Sequence, residues 1–224
     1  MTPAYIHEAC EASLRRLGTD YMDLYQLHAG VEDAAGAEGV IEVLEGLVAE
    51  GKICAYGASV DDPTLARAFA EGPRCIAIQH QLNVFGTNEE TLRICEERGL
   101  ASINRSPLAM GLLTGKYVPG KNVPPSDDVR RDTPHWDYFD DEAMGTWTQK
   151  LEAIRQALTE SGRTLAQGAL SWIWAKSAAT IPIPGLRTVA QVEENAGAMR
   201  FGSLSAQALS AIDDALGRQT ETVS

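Results

Sequence analysis

The sequence predicts an α/β fold built around a parallel sheet. Short runs rich in β-branched and aromatic residues alternate with longer stretches of helical periodicity, as expected for successive strand-helix-strand units. Gly18, Gly51 and Gly99 each follow a helical stretch, at the position where a helix commonly ends. The length of 224 residues suits one large domain and is close to the lower limit, about 200 residues, for a complete eight-stranded α/β barrel. We therefore predict a single domain over residues 1–224.

Five of the apolar runs have the length and composition of strands. The first, YMDLYQLH, follows a helical stripe that contains Ile6, Cys10 and Leu14, and it ends at His28. The predicted strands cover residues 21–28, 53–59, 75–82, 100–107 and 180–185. The predicted helices cover residues 5–17, 37–50, 61–71, 87–98, 143–160, 164–176, 188–198 and 205–216. Because five parallel strands are too few to close an eight-stranded barrel, the sequence predicts an incomplete one.

The alternation of helices and strands breaks at residues 117–142. This segment holds four prolines and many charged residues, and no helical or strand period is sustained within it. Unstructured connections of this length are uncommon in compact domains and are usually functional or mobile. We predict a long loop over the face of the domain that carries the active site.

Charge and cysteine usage exclude several classes of function. With 31 acidic and 19 basic residues, the formal charge is −12, so nucleic acid and anionic membrane surfaces are disfavoured as partners. No apolar run approaches the length of about 18 residues that a membrane span needs. The four cysteines have no CxxC spacing and no histidine at metal-ligand spacing, so we expect buried thiols and no metal site: Cys10, Cys54, Cys75 and Cys95. These observations favour a cytoplasmic protein.

Polar residues fall at the carboxyl ends of the predicted strands, where parallel α/β sheets carry their chemistry. They are His28, Ser59, Gln79, the pair Arg105-Ser106 and the Pro184-Gly185 turn. No nucleophile and base are paired among them. Each also has an ordinary structural explanation, since a histidine at a strand end is often hydrogen-bonded and a serine or glutamine there often caps the next helix.

Two loops after consecutive strands have the composition of phosphate-binding loops. SPLAMGLLTGK, residues 106–116, combines a hydroxyl, two glycines and a lysine, which suit wrapping of phosphates by main-chain N–H groups. IPGLRTVAQVEEN, residues 183–195, places Gly185 and Arg187 just before a helix N-terminus. Paired loops of this kind recur as phosphate sites in α/β barrels.

Six blocks in consecutive order resemble the aldo-keto reductase family, most closely its bacterial branch related to potassium-channel β-subunits. They are SLRRLGTDYMDLYQLH (13–28), GKICAYGAS (51–59), IAIQHQLN (76–83), SPLAMGLLTGKY (106–117), IPIPGLRTVAQVEENAGA (181–198) and LSAQALSAID (204–213). The resemblance implies a (β/α)8 barrel that transfers a hydride between NADPH and a carbonyl compound, without metal or flavin. The five strands would then be barrel units four to eight.

The resemblance also implies a role for each matched residue on the reacting side of the cofactor. His28 resembles the family histidine that hydrogen-bonds the substrate carbonyl oxygen, a role that suits a neutral imidazole. Ser59 and Gln79 match the residues that hold the nicotinamide carboxamide. Arg105 stands where many relatives stack an aromatic ring on the nicotinamide, and a planar guanidinium can stack in the same way.

Further matches imply how the rest of the cofactor is held. The pyrophosphate positions are Ser106, Leu108, Met110 and Gly111, and the adenosine positions are Gln191, Glu194 and Asn195. Arg187 is the candidate for the 2′-phosphate. Val60 replaces an asparagine common in relatives, and Gly185 replaces a basic residue, so the sequence leaves NAD(H) open beside NADP(H) as the cofactor.

The catalytic acid of the family is a tyrosine whose pKa is lowered by a lysine paired to an aspartate, on strands that precede the DLYQLH block. In this sequence only His28 matches the four catalytic groups, so we expect impaired or absent reductase activity from this chain alone. Tyr138 and His135 in the long loop are the candidate substitutes, and we expect them to be packed or solvated cover.

Three functions remain open at this point. The first is NADP(H)-dependent reduction of a small aldehyde or ketone. The second is a non-reductase homologue that binds a dinucleotide as a regulatory or binding protein, and the third is a lyase or isomerase that uses His28. An incomplete barrel would expose unpaired strand edges, so we also predict self-association that covers them.

Overall fold

The computed structural model describes residues 2–28, 31–131 and 136–218. Its strands are β1 Met22–His28, β2 Ile53–Ser59, β3 Cys75–Gln81, β4 Ala101–Arg105 and β5 Thr180–Pro182. They form one parallel sheet in which the strand order follows the chain, from β1 to β5. The predicted α/β class and the five parallel strands are therefore confirmed.

Helices connect and follow these strands, close to the predicted positions. They are α1 Pro3–Leu17, α2 Ala34–Ala49, α3 Pro63–Ala70, α4 Glu89–Arg98, α5 Ala143–Leu158, α6 Leu165–Lys176, α7 Val189–Gly197 and α8 Ala206–Ala215. Helix α1 begins at a capping Thr2 side chain and ends at Gly18, whose φ of 68° is left-handed. None of the helices in the described ranges is long and apolar enough to span a membrane.

Three predicted strands end earlier than expected, β3 by one residue and two others by two or more. The strand predicted at 180–185 ends at Pro182, since Pro182 and Pro184 have no backbone N–H to extend the pairing. The strand predicted at 100–107 ends at Arg105, because Ser106 turns to a left-handed φ of 53°. Sequence periodicity carries no signal for that turn.

The chain divides into two compact units. The sheet unit comprises Met1–Gln81, Asn88–Asn104 and Ala179–Ile181, and the helical unit comprises Leu82–Thr87, Arg105–Ala178 and Pro182–Ser224. The sheet unit contains α1 to α4 and the strands apart from the last residues of β4 and β5. The single domain predicted over residues 1–224 stays a prediction.

The core of the sheet unit forms where helices pack on β1, β2 and β3. Its largest fully buried side chains include Leu44, Tyr56, Phe69 and Ile78. The Tyr56 hydroxyl donates a 2.7 Å hydrogen bond to Glu45 Oε1. Burial, together with this carboxylate, raises the pKa of Tyr56, so the phenol stays protonated and keeps donating.

A buried polar cluster joins side chains of β3 and β4. His80 Nε2 lies 2.7 Å from Ser102 Oγ, and Asn104 Nδ2 donates to the same oxygen over 2.8 Å. All three side chains have no exposed surface. Burial at this cost requires that the groups bond one another, so the cluster fixes β3 against β4.

The prediction of four buried cysteines is wrong for Cys54. Cys10, Cys75 and Cys95 are buried, but Cys54 is exposed. Its neighbours Ile53 and Ala55 are both buried, and side chains alternate along a strand, so Cys54 points to the opposite face. Burial raises the pKa of Cys75 to about 11 and that of Cys95 to about 12, which keeps both as thiols.

The helical unit is built on α5, α6 and α8. Gly168 of α6 permits a close approach, because a Cβ there would lie 2.0 Å from the carbonyl oxygen of Leu158 at the end of α5. Arg163, almost fully buried, donates hydrogen bonds to the carbonyl oxygens of Phe201 and Ser203, each over 3.2 Å. These contacts join the chain before α6 to the chain before α8.

The described parts of residues 117–142 contain turns without helix or strand. Tyr138, one candidate substitute acid, is 4% exposed, and its ring packs edge-on against Trp147 with centroids 5.1 Å apart. The expectation that Tyr138 is packed is confirmed, whereas a covering role over the site stays a prediction. His135 lies outside the described residues, and the assignment of the segment to the active-site face stays a prediction.

Candidate functional site

Three predicted site residues of the sheet unit occupy matching positions on neighbouring strands. In the parallel register His28 pairs with Ser59, and Ser59 pairs with Gln79. His28 is exposed and ends β1, whereas Ser59 ends β2 and is partly buried, as is Gln79. The sheet thus brings an imidazole, a hydroxyl and an amide together at its carboxyl edge, where such sheets bind ligands.

Gln79 is held by a residue that the sequence did not single out. Its Nε2 donates a 2.7 Å hydrogen bond to Oε1 of Gln26 on β1. Gln26 is paired in register with Gly57, which adds no side chain between the two glutamines. A single sequence carries no signal for this bond, because the bond depends on the register of three strands.

Val60, which replaces the asparagine common in relatives, serves packing. Its side chain is partly buried against the core of the sheet unit, and its backbone N–H donates to the carbonyl oxygen of Gln79 over 2.9 Å. The backbone bond fixes the end of β2 against β3. The side chain offers no hydrogen bond to a ligand.

The helical unit contains a cavity of 490 Å³. Six of the predicted site residues line it: Ser106, Leu108, Met110, Gly111, Arg187 and Gln191. Arg105, Glu194 and Asn195 are not among the lining residues of the described chain. The volume falls within the range of about 300–1,000 Å³ that is typical of small-molecule sites.

One wall of this cavity is a loop with an unusual backbone. Ala109, Met110 and Gly111 are consecutive residues with left-handed φ of 47°, 55° and 98°. The turn is held by a bond from Ala109 N to Ser106 O, at 2.9 Å, and by Asn83 Nδ2, which donates to Ser106 O over 3.1 Å. Such backbone strain concentrates at binding sites, and left-handed turns form concavities whose N–H groups bind anions.

The opposite loop is organised by the start of α7. Thr188 caps the helix, and the side-chain oxygen of Gln191 accepts from the backbone N–H of Arg187 at 2.8 Å and of Thr188 at 3.2 Å. Asn195 is buried and donates from Nδ2 to the carbonyl oxygen of Gly185 over 3.2 Å. Gln191 and Asn195 therefore shape the Gly185–Thr188 turn itself.

Cationic side chains dominate the charge around the cavity. Lys116, Arg130 and Arg187 line it together with one carboxylate, Asp128, on a chain whose net charge is −12. A concentration of positive charge on an acidic protein is the electrostatic signature of an anion site.

Asp128, Val129 and Arg130 come from the irregular segment, and sequence reasoning did not find them as lining residues. Arg130 forms a paired contact with Asp128, at 2.7 Å from Nε to Oδ1 and 2.5 Å from Nη2 to Oδ2, and it also donates to the Tyr117 hydroxyl. The Arg130 guanidinium holds the pKa of Asp128 below its usual value. The pair therefore stays ionised and shapes this wall.

Within the described ranges, no group of three or more His, Cys, Asp or Glu side chains is placed to hold a metal ion. The first set of residues offers hydrogen-bonding groups at the sheet edge, and the second lines a cavity of the helical unit that contains cationic side chains. The role of each residue stays a prediction of the resemblance.

Comparison with solved structures finds whole-chain similarity. An aldo-keto reductase from Bacillus halodurans superposes with a TM-score of 0.73 at 29% identity, over 96% of this chain and 69% of its own. The glycerol dehydrogenase of Gluconobacter oxydans gives a TM-score of 0.83 at 27% identity, over 99% of this chain and 68% of its own. An aldo/keto reductase from Klebsiella pneumoniae in complex with NADP and acetate gives 0.68 at 27% identity, over 96% and 66%.

Sequence comparison with curated proteins finds relatives of the same kind. A probable aldo-keto reductase of Glycine max is 31% identical over 200 residues, 88% of this chain and 56% of the relative. An uncharacterized oxidoreductase of Bacillus subtilis, YqkF, is 32% identical over 213 residues, which are 93% of this chain and 65% of the relative. The chain thus spans between half and two thirds of the length of these relatives. Its residues 1–216 match the aldo/keto reductase family, and the chain belongs to that family.

Proposed function

We propose that this chain binds NADP(H) and takes part in the reduction of small aldehydes or ketones. The observation that carries the proposal is the cavity of the helical unit, which combines a left-handed loop with Lys116 and Arg187, while its third cation, Arg130, is paired with Asp128. Membership of the family supports it, as does the NADP complex of the Klebsiella relative.

The chemistry of the cavity fits a dinucleotide phosphate. The concave Ser106–Gly111 loop suits the pyrophosphate, and Lys116 adds positive charge beside it. The N–H groups of Ala109 and Gly111 donate to carbonyl oxygens within the loop and hold its shape. Arg187 supplies a planar guanidinium for the 2′-phosphate, where charge-assisted and paired hydrogen bonds are strongest. Gln191, Glu194 and Asn195 lie on the first turns of α7 and serve the adenosine, Gln191 and Asn195 by shaping the turn that precedes the helix.

The residues at the sheet edge serve the reacting end. When bound, the nicotinamide supplies the hydride that reduces the carbonyl carbon. Ser59 and Gln79 hydrogen-bond its carboxamide and so select the ring face, and Arg105 stacks on the ring. His28, exposed at the end of β1, donates a hydrogen bond to the substrate oxygen as negative charge develops there.

Binding is tested by titrating the chain with NADPH and NADH and comparing wild type with Arg187→Ala. Because hydrogen bonds to a charged group contribute about 1.5–3 kcal/mol, the variant should lose about 10-fold or more in NADPH affinity and little in NADH affinity. Arg200→Ala, at an exposed arginine outside the cavity, is the matched control. Equal effects on both nucleotides would contradict the assignment of Arg187.

Reduction is a separate part of the proposal. Since His28 is the one catalytic group matched by the resemblance, we expect aldehyde reduction by this chain to be slow, and His28→Ala should abolish it while leaving NADPH affinity within about 2-fold. Turnover of substrate without any nicotinamide nucleotide would instead favour a lyase or isomerase. Saturable binding without turnover of any kind would favour a binding or regulatory protein.

A further inference from the structure

Two glutamines on nonadjacent strands of the sheet unit are joined through their side chains. Gln26 lies on β1 and Gln79 on β3, with β2 between them, and Gln79 Nε2 donates to Gln26 Oε1 over 2.7 Å. Neighbouring strands are about 4.8 Å apart, so these two backbones are roughly 10 Å apart. Only long side chains directed at each other over the central strand can make such a bond.

The central strand leaves this space open at Gly57. The register pairs Gly57 with Gln26 on one side and with Ala77 on the other. A Cβ at Gly57 would lie 2.6 Å from the carbonyl oxygen of Ala77, so the close approach of β2 and β3 requires glycine there. The consequence is that no side chain separates the two amides.

The direction of this bond decides what Gln79 can offer to a ligand. An amide side chain has an oxygen that accepts and an NH2 group that donates. When one of these two groups bonds a protein partner, the other group is the one left to face a ligand. Because the NH2 of Gln79 donates to Gln26, the oxygen of Gln79 is directed away from that bond. An acceptor held in a fixed position suits an NH2 group on the ligand.

We infer that Gln26 is a positioning residue that fixes Gln79 as an acceptor for the NH2 of the nicotinamide carboxamide. This inference rests on the proposed function, since it needs a nicotinamide nucleotide as ligand. It gives a role to Gln26, for which the sequence predicted none. It also specifies that Gln79 accepts, rather than donates, the hydrogen bond with the carboxamide. Without Gln26, the Gln79 amide can rotate and present either end, so discrimination for the carboxamide is lost.

The test compares NADP+ with its 3-acetylpyridine analogue, in which a methyl group replaces the carboxamide NH2. The measured quantity is the ratio of the two dissociation constants within each variant, which cancels any general loss of affinity. One neutral hydrogen bond corresponds to about a 5-fold preference, so we expect the wild type to bind NADP+ about 5-fold more tightly than the analogue.

Three substitutions at Gln26 separate its roles. Gln26→Met removes the acceptor, and Gln26→Asn keeps an amide but is one methylene too short to reach Gln79. Both should bring the ratio to within about 2-fold of unity, whereas Gln26→Glu, which still accepts from Gln79, should keep the wild-type ratio. The same change at an exposed position of α5, Gln156→Met, is the control and should leave the ratio unchanged.

Each outcome decides the inference. If the Met and Asn variants weaken both nucleotides equally and keep the ratio, Gln26 has only a structural role and the inference is wrong. If the wild type binds both nucleotides with equal affinity, Gln79 does not bond the carboxamide, which overturns the inference and the role of Gln79 but leaves the proposed binding of NADP(H) standing. If the wild type binds neither nucleotide, the proposed function fails and the inference fails with it.

Discussion

The loop at Ser106–Gly111 concentrates backbone conformations that side chains rarely adopt. Ser106, Ala109 and Met110 all have left-handed φ, and each such residue costs on the order of 1–3 kcal/mol. The buried side chains of Ala109, Leu112 and Leu113 anchor the loop against that cost. Strain of this kind clusters at binding sites, which supports the proposed phosphate site in the adjacent cavity.

Gly111 is the position in this loop where a side chain should be least tolerated. Its φ is 98°, and a Cβ would lie 3.2 Å from the ring of Tyr117. Gly111→Ala should therefore lower the free energy of unfolding by about 1–3 kcal/mol, measured by urea denaturation, and weaken NADPH binding. Gly185→Ala lines the same cavity but meets no atom within 4 Å, so it should change stability by less than about 0.5 kcal/mol. Equal losses in the two variants would contradict this account of the loop.

Gly185 also offers a gain of function. The family resemblance implies a basic residue at this position, and a Cβ built at Gly185 meets no atom within 4 Å. Gly185→Lys should raise the affinity for NADPH by about 3-fold or more and leave that for NADH unchanged, because the added charge meets only the 2′-phosphate. Competition by 2′,5′-ADP, compared with 5′-AMP, measures the effect on the phosphate alone. An equal gain for both competitors would show that the lysine does not reach the phosphate.

At the scale of elements, β3 and β4 depend on the buried cluster of His80, Ser102 and Asn104. Ser102→Ala removes the oxygen to which Asn104 donates and leaves that donor buried without its acceptor. We expect a loss of about 1–3 kcal/mol in the free energy of unfolding. Ser210→Ala, exposed on α8, is the control and should be within about 0.5 kcal/mol of wild type. If Ser102→Ala leaves the free energy of unfolding unchanged, the cluster does not hold β3 and β4 together.

The Asp128–Arg130 pair gives the irregular segment a pH dependence. The pKa of Asp128 is lowered in the folded state, first by the side-chain hydrogen bond from Arg130. The stabilisation is therefore present above the unfolded pKa, near about 4, and is lost as the pH falls toward the lower folded value. Arg130→Met should reduce stability at neutral pH, and the difference from wild type should shrink below about pH 4. A difference that is constant over this range, or one that is undiminished in an Asp128→Asn background, would contradict the pairing.

The elements themselves could be predicted from the sequence to a large extent, because each depends on local signals. The strand at 53–59 has the predicted bounds, and the glycines after α1 and α4 end those helices as expected. The part that was not predicted depends on distant residues. The Gln26–Gln79 bond needs the register of three strands, and Arg130 enters the cavity from a segment with no period.

At the scale of the whole molecule, strand edges predict association. β1 and β5 stand at the two ends of the strand order, and unpaired edges favour pairing with another chain. We therefore expect this 224-residue chain to self-associate in a concentration-dependent way, measured by sedimentation equilibrium. A monomer that stays stable at high concentration would contradict this expectation.

The cavity of the helical unit is the proposed binding site of NADP(H). Isothermal titration calorimetry of the unmodified chain with NADPH measures this binding without any substitution. We expect saturable binding of one NADPH per chain, with an affinity higher than that for NADH. Added salt should weaken this binding, because contacts to the phosphates contribute to it. An absence of saturable binding, or binding that is indifferent to both the 2′-phosphate and the salt concentration, would contradict the proposed site.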